Sequence, residues 1–253
     1  MIVATSITES YLEKSKPFFE SVNKNFKGKK ICFCIGFTFN THPWKIDGWE
    51  LIFVPIENIK CKWQPKNRKD FYTLQYGEFV DYYDFKDDDQ VLFLDSDMIL
   101  QRPINDLLLT SKGTFFFTDS SFPAAKIKDV IQYPELGFNG DVEGFCKGYN
   151  IQDDSREFCV AFMYANIRSW RKLYVIVKSI HEKFLNQFIH HSAWQTLINI
   201  IIMNHFPYIR LNPVVCNATW YLGTKAKREN NKLMYQNSEV YFVHTKFNEE
   251  YEY

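Results

Sequence analysis

The stretch "VLFLDSDMIL", residues 91–100, decides how the rest of the chain is read. Four apolar residues run directly into Asp95, Ser96 and Asp97, and the chain then turns apolar again. The absence of polar alternation predicts a central strand buried on both faces. Carboxylates are seldom placed beside such a strand without a partner. Side chains two apart on an extended chain face the same way, so Asp95 and Asp97 are expected to converge while Ser96 faces elsewhere. Two carboxylates that close repel one another unless a proton or a cation lies between them. An all-oxygen pair suits a hard divalent ion, Mg²⁺ or Mn²⁺, of the kind that bridges carboxylates to phosphate oxygens.

Working outward, "IVATS" (2–6) reads as a first strand, "KKICFCIGF" gives a second near 31–36 and "WELIFVPI" a third near 50–55. Ser10 and Glu13 have the spacing of a capping box, so a helix is expected to open there, with Pro17 kinking it or delaying its start. "CKWQPKNRK" (61–69) is a basic loop, and the spacing of Phe71, Leu74, Phe79, Val80 and Tyr83 predicts a helix over 70–84. Asp87, Asp88 and Asp89 read as a solvated turn before the 91–95 strand. "GTFFFTD" (113–119) and "FCVAFMYANI" (158–167) are further strands, separated by an irregular glycine-containing stretch, 120–157, of the sort that often carries function. Helices follow near 169–187 and 192–205, and "EVYFVHTKF" (239–247) is a last strand carrying His244. Strands alternating with helices in the first half imply an α/β fold with a mostly parallel central sheet. Ligands of such sheets sit at the carboxyl ends of the strands. Asp95 and Asp97 lie at one such end, Thr5 and Ser6 at another, and Asp119 at a third.

Composition narrows the classes. Lys plus Arg equals Asp plus Glu at 30 each in 253 residues. A net charge of zero gives no general electrostatic grip on nucleic acid or an anionic membrane. Aromatic residues reach 18%, with 24 Phe and 15 Tyr, which points to a phenylalanine-built core with some Tyr and Trp free to stack on rings. The six cysteines include no C-x-x-C pair, so structural zinc is not expected. Cys32 and Cys34 should share one strand face. No secretory leader and no apolar run of membrane-spanning length is visible, so a cytoplasmic setting with free thiols is the expectation.

The segment "VLFLDSDMILQRPI" resembles the D-x-D segment of nucleotide-sugar glycosyltransferases of the GT-A fold, and most resembles family 8, the glycogenin and bacterial galactosyltransferase-like group. Further stretches match in order. "IVATSITESYL" is similar to the first strand and turn that hold the nucleoside, which implies contacts from Thr5, Ser6, Ile7 and Tyr11. "FCVAFMYANIRSW" resembles the strand written F-N-x-G-v-m in the family, and "WQTLIN" the D-Q-x-x-L-N helix start. "VYFVHTKF" resembles the late strand whose histidine completes the metal site, which makes Asp95, Asp97 and His244 the implied ligands of Mn²⁺ (or Mg²⁺). The resemblance implies one GT-A, Rossmann-like domain over 1–253, with a nucleotide- and metal-binding half (1–119) and an acceptor-side half (120–253). It also implies a UDP-sugar donor and an oligosaccharide or glycan acceptor. The chain departs from the family at Cys159 and Ala161, where Asn and Gly are usual, and at Trp194, where Asp is usual. Trp194 is expected to pack in the core or against a sugar face.

Breaking the anomeric carbon–oxygen bond puts negative charge on the diphosphate. Lys246, Lys66 and Arg68 are cations placed to add to a metal's stabilisation of it, with Arg68 preferred for its fork of donors, and Asp95 and Ser96 lie beside the nucleotide. A base for the acceptor hydroxyl would come from Asp119, Asp153 or Asp154, with Asp141 and Glu143 as further candidates. Family 8 retains anomeric configuration, and a retaining enzyme can leave that proton to the departing phosphate. Two other readings stay open: a haloacid-dehalogenase-type phosphatase using D-x-D, and a carbohydrate-binding relative without catalysis.

Overall fold

The computed structural model describes residues 1–38, 45–62, 72–104, 112–119, 125–133, 137–185, 187–188, 193–212, 214–218 and 226–245. A seven-stranded sheet runs in the order β3-β2-β1-β4-β7-β6-β8. Its strands are β1 (Ile2–Thr8), β2 (Lys29–Ile35), β3 (Glu50–Val54), β4 (Gln90–Leu94), β6 (Phe115–Asp119), β7 (Phe158–Asn166) and β8 (Tyr208–Arg210). Four neighbouring pairs are parallel, and β7 runs antiparallel to both β4 and β6. The sheet is therefore mostly parallel, as the strand–helix alternation predicts. Reversal of β7 brings its first residues beside the carboxyl end of β4, where the Asp95 N–H donates to the Ala161 carbonyl at 2.9 Å.

Two layers cover the sheet. On one face lie α4 (Ile167–Leu185), α5 (Ala193–His205), the short helices α2 (Ile127–Ile131) and α3 (Val142–Gly148), and the segment 72–85. On the other lie α1 (Lys16–Asn25) and a small sheet ordered β5-β13-β9, formed by Met98–Leu100, Phe242–His244 and Cys216–Ala218. A second small sheet, β10 (Ala226–Glu229), β11 (Lys232–Tyr235) and β12 (Ser238–Glu239), packs Leu233 and Tyr235 against Ile99, Val240 and Val243. Its two tight turns place Asn230, Asn231, Gln236 and Asn237 at positive φ, the left-handed backbone that hairpin turns require.

The core is built largely on phenylalanine. Phe79 meets Phe33, Phe85, Phe93 and Trp170 at ring-centroid separations of 4.9–5.8 Å. Cys32 and Cys34 face the same layer, and the described cysteines are free thiols. Trp194 is buried edge-on against Tyr76, which makes it a core residue. Asp87 and Asp88 are exposed in a turn, where they pair with Arg168 and Arg171.

Three sequence expectations need correction. Ser10 opens no α-helix. A 3₁₀ turn covers Glu9–Tyr11, and α1 begins at Lys16 with Pro17 in its first turn, where a missing N–H costs nothing. The predicted helix over 70–84 is irregular in its described part, apart from a 3₁₀ turn at Glu78–Asp81. The cause is Gly77 at φ +91°, a left-handed backbone pressed so close to α4 that a Cβ would stand 2.7 Å from the Trp170 carbonyl oxygen. The apolar residues still reach the core, since Leu74, Tyr76 and Phe79 are fully buried, but they do so without an α-helix. The last strand is also shorter than 239–247: β12 and β13 are separate, paired to different sheets.

A candidate metal centre at the carboxyl edge of the sheet

Strand β4 ends at Leu94, and the chain turns through Asp95, Ser96 and Asp97 into β5, with the Met98 N–H donating to the Asp95 carbonyl at 3.3 Å. The aspartates therefore converge across a turn and not along an extended strand. The third member arrives from the far end of the chain. β13 pairs antiparallel with β5 in a register that sets His244 opposite Met98, beside Asp97. Thr245 locks this arrangement, its backbone N–H and its hydroxyl both donating to the Asp97 carbonyl, at 3.0 and 2.6 Å. One ligand atom from each of Asp95, Asp97 and His244 lies within 4.8 Å of the others, and all three residues are half-buried.

The electrostatics are those of a site short of positive charge. Burial, and next the negative charge of Asp97, push the Asp95 carboxyl up to about 7. His244 Nε2 lies 3.2 Å from Asp97 Oδ1. Burial alone would lower the imidazole, but the Asp97 charge and contact and the Cys159 thiol hold it well above its ordinary value. The Nε2–Oδ1 approach is an ion contact. Among the described residues, Asp97 Oδ1 has no hydrogen-bond donor although it is shut off from water. A buried carboxylate oxygen without a donor is costly, and a cation removes that cost. Two carboxylates and one imidazole are a donor set suited to Mn²⁺, so the residues present fit the metal that the sequence implies.

Residues outside the sequence expectations support this trio. Gln75, almost fully buried, donates from Nε2 to Asp95 Oδ1. Cys159 Sγ sits 3.9 Å from His244 Nδ1, the ring nitrogen turned away from Asp97. The helical reading of 70–84 hid Gln75, and Thr245 carried no signal beyond its place after His244.

The remaining expected residues fall in several places. Thr5 is fully buried and its hydroxyl donates to the Leu94 carbonyl at 2.8 Å, tying β1 to β4 beside the aspartates. Ile7 is buried in the core, while Ser6 and Tyr11 are half-buried at the end of β1 and the turn after it. Ser96 is half-buried in the aspartate turn. Asp153 and Asp154 are exposed in the loop before β7, with Asp153 3.9 Å from Lys128. Asp141 caps α3, accepting from the Glu143 N–H at 3.0 Å, and Glu143 pairs with Lys128. Asp119 pairs through its backbone with Phe158, and its side chain lies outside the described residues, as do Lys66, Arg68 and Lys246.

No protein-family model matches the chain, and no curated protein matches it. Solved structures do. The galactosyltransferase LgtC, in complex with donor and acceptor sugar analogs, is 14% identical, with a TM-score of 0.60 over 97% of this chain and 87% of that one. An active-site mutant of LgtC gives 13% identity and a TM-score of 0.61 over the same shares of the two chains. Mouse xyloside xylosyltransferase 1, in its apo form, gives 12% identity and a TM-score of 0.54 over 98% of this chain and 99% of that one. Identity at this level speaks to the fold, and the fold is GT-A, in agreement with the sequence resemblance. Among the described residues, no helix is long and apolar enough to cross a membrane.

Proposed function

We propose that this chain is a divalent-metal-dependent glycosyltransferase that takes a UDP-sugar donor, transfers the sugar to a glycan acceptor and retains anomeric configuration. The convergence of Asp95, Asp97 and His244 at the carboxyl edge of the β4 strand carries this reading. The GT-A fold, shared with transferases one of which was solved with donor and acceptor sugar analogs, supports it.

In this reading the three side chains hold Mn²⁺ or Mg²⁺ through the two carboxylates and the imidazole. When bound, the metal supplies Lewis-acid stabilisation of the charge that develops on the leaving diphosphate. The protein's own part is placement. The short turn between β4 and β5 holds both carboxylates, and the β13 register fixes the imidazole beside them, so little reorganisation is left for the reaction step. The half-buried Ser6 in β1, Tyr11 in the turn after it and Ser96 in the aspartate turn are the proposed nucleoside contacts. Thr5 and Ile7 act there through the backbone that they anchor. Arg68 and Lys246 are proposed phosphate contacts on sequence grounds. Asp119, Asp153 and Asp154 are the proposed acceptor-side acids, and residues 1–119 and 120–253 the nucleotide and acceptor halves.

Release of UDP from a panel of UDP-sugars with Mn²⁺, followed for the native chain and for Asp97→Ala, tests the reading. Turnover with at least one donor is expected, falling by two or more orders of magnitude in the variant while circular dichroism is unchanged. Equal turnover by the two proteins would remove the metal-dependent mechanism. Donor binding without any turnover would mark a carbohydrate-binding relative.

A further inference from the structure

The carboxyl end of β4 lies between the two layers that cover the sheet, and polar side chains reach it from both. From the small sheet comes His244. From the opposite layer comes Gln75, whose neighbours Leu74 and Tyr76 are both fully buried in the larger core. Gln75 is itself only 1% exposed. A buried amide with no structural task is costly, so its partner is informative. That partner is Asp95 Oδ1. In its ionised, metal-binding form Asp95 only accepts hydrogen bonds, so in that form the contact is made by the N–H end of the amide. The backbone holds Gln75 in place. Its N–H donates to Thr73 Oγ1 at 3.2 Å, and the chain reverses two residues later at Gly77, against α4.

Without a restraint, Asp95 would relieve its repulsion from Asp97 by rotating away. A lysine or arginine at position 75 would restrain it, but its positive charge would compete with a metal for the same carboxylate. A neutral donor restrains without competing. We propose that Gln75 is a positioning residue for the divalent cation: its buried amide fixes the rotation of the Asp95 carboxylate, keeping that ligand within reach of Asp97 and His244. The inference rests on the metal-site reading above and adds the group that holds its first ligand. Outer groups that orient metal ligands commonly contribute about 10- to 100-fold in metal affinity.

The test is Mn²⁺ binding to chelator-stripped protein at pH 8, without nucleotide, followed by the electron paramagnetic resonance of free Mn²⁺. Gln75→Met keeps the length of the side chain and removes the donor, and it is expected to weaken Mn²⁺ by about 10- to 100-fold with an unchanged circular dichroism spectrum. Leu74→Val, a neighbouring core truncation, is expected to lower the melting temperature and leave Mn²⁺ affinity within twofold. In an Asp95→Asn background, Gln75→Met is expected to cost less than twofold, because its effect passes through Asp95. Should Gln75→Met fail to fold, Gln75→Ala takes its place in the same comparison. Affinity within twofold of native in a folded position-75 variant would overturn the inference and leave the metal site standing, as would an equal loss in both backgrounds. Absence of Mn²⁺ binding by the native chain at millimolar metal would overturn the metal site itself and the inference with it.

Discussion

Lowering the pH should weaken metal binding in the neutral range, where an ordinary carboxylate site is indifferent to it. The Asp95 carboxyl ionises at about 7 in the metal-free protein, raised by burial and then by Asp97. A bound cation needs the ionised form, so observed affinity scales as 1/(1 + 10^(pKa − pH)). The sign follows directly: affinity rises with pH, and the Asp95 part of the rise levels off above the Asp95 value. Relative to its plateau it falls about 2-fold at pH 7 and about 11-fold at pH 6 from Asp95 alone. A carboxylate ionising near 3.9 would lose about 1% over the same span. His244, also raised, must give up a proton as well to offer Nε2, so the loss between pH 8 and pH 6 is at least about tenfold and the fall steeper. The assay is Mn²⁺ titration of the chelator-stripped protein at half-unit steps from pH 5.5 to 8. It is paired with calorimetry at pH 6.5 in two buffers of different ionisation enthalpy, which counts the protons released. Between one and two protons per Mn²⁺ are expected. A dissociation constant flat within twofold from pH 6 to pH 8, with no proton release, would refute the idea that Asp95 keeps a proton in the neutral range when no metal is bound.

Two further predictions concern the frame around the site. Gly77→Ala places a Cβ 2.7 Å from a backbone oxygen at φ +91°, and neither the turn nor α4 can give way cheaply. Left-handed strain together with the forced shift should cost about 2–4 kcal/mol, seen as a thermal midpoint lower by about 5–15 °C; an unchanged midpoint would show that the approach to α4 is slack. Thr5→Val removes the buried hydrogen bond to the Leu94 carbonyl and keeps the side-chain volume. About 1–2 kcal/mol of stability in urea unfolding should be lost, and no loss would mean that the β1–β4 tie is dispensable.

The sequence alone determined the α/β class, the central strand and the acids at its end. Those signals are local: an unbroken apolar run followed at once by charge needs no knowledge of distant residues. The phenylalanine core and the shared face of Cys32 and Cys34 were legible for the same reason. His244 was reached only through resemblance, because nothing near it in the chain marks it. The tie from its neighbour Thr245 to the Asp97 carbonyl spans 148 residues. The tertiary structure alone decided that β13 lies on β5 in the register that sets His244 beside Asp97, and that β7 runs backwards to bring Cys159 behind the imidazole. It alone also decided that residues 72–77 form no helix. Apolar spacing there fits a helix, but a left-handed glycine packed against α4 ends any helical run and turns Gln75 onto Asp95. Periodicity records which residues leave water. Strand register and the close approach of two backbones decide which polar atoms meet, and neither of these is encoded in any one stretch of the chain.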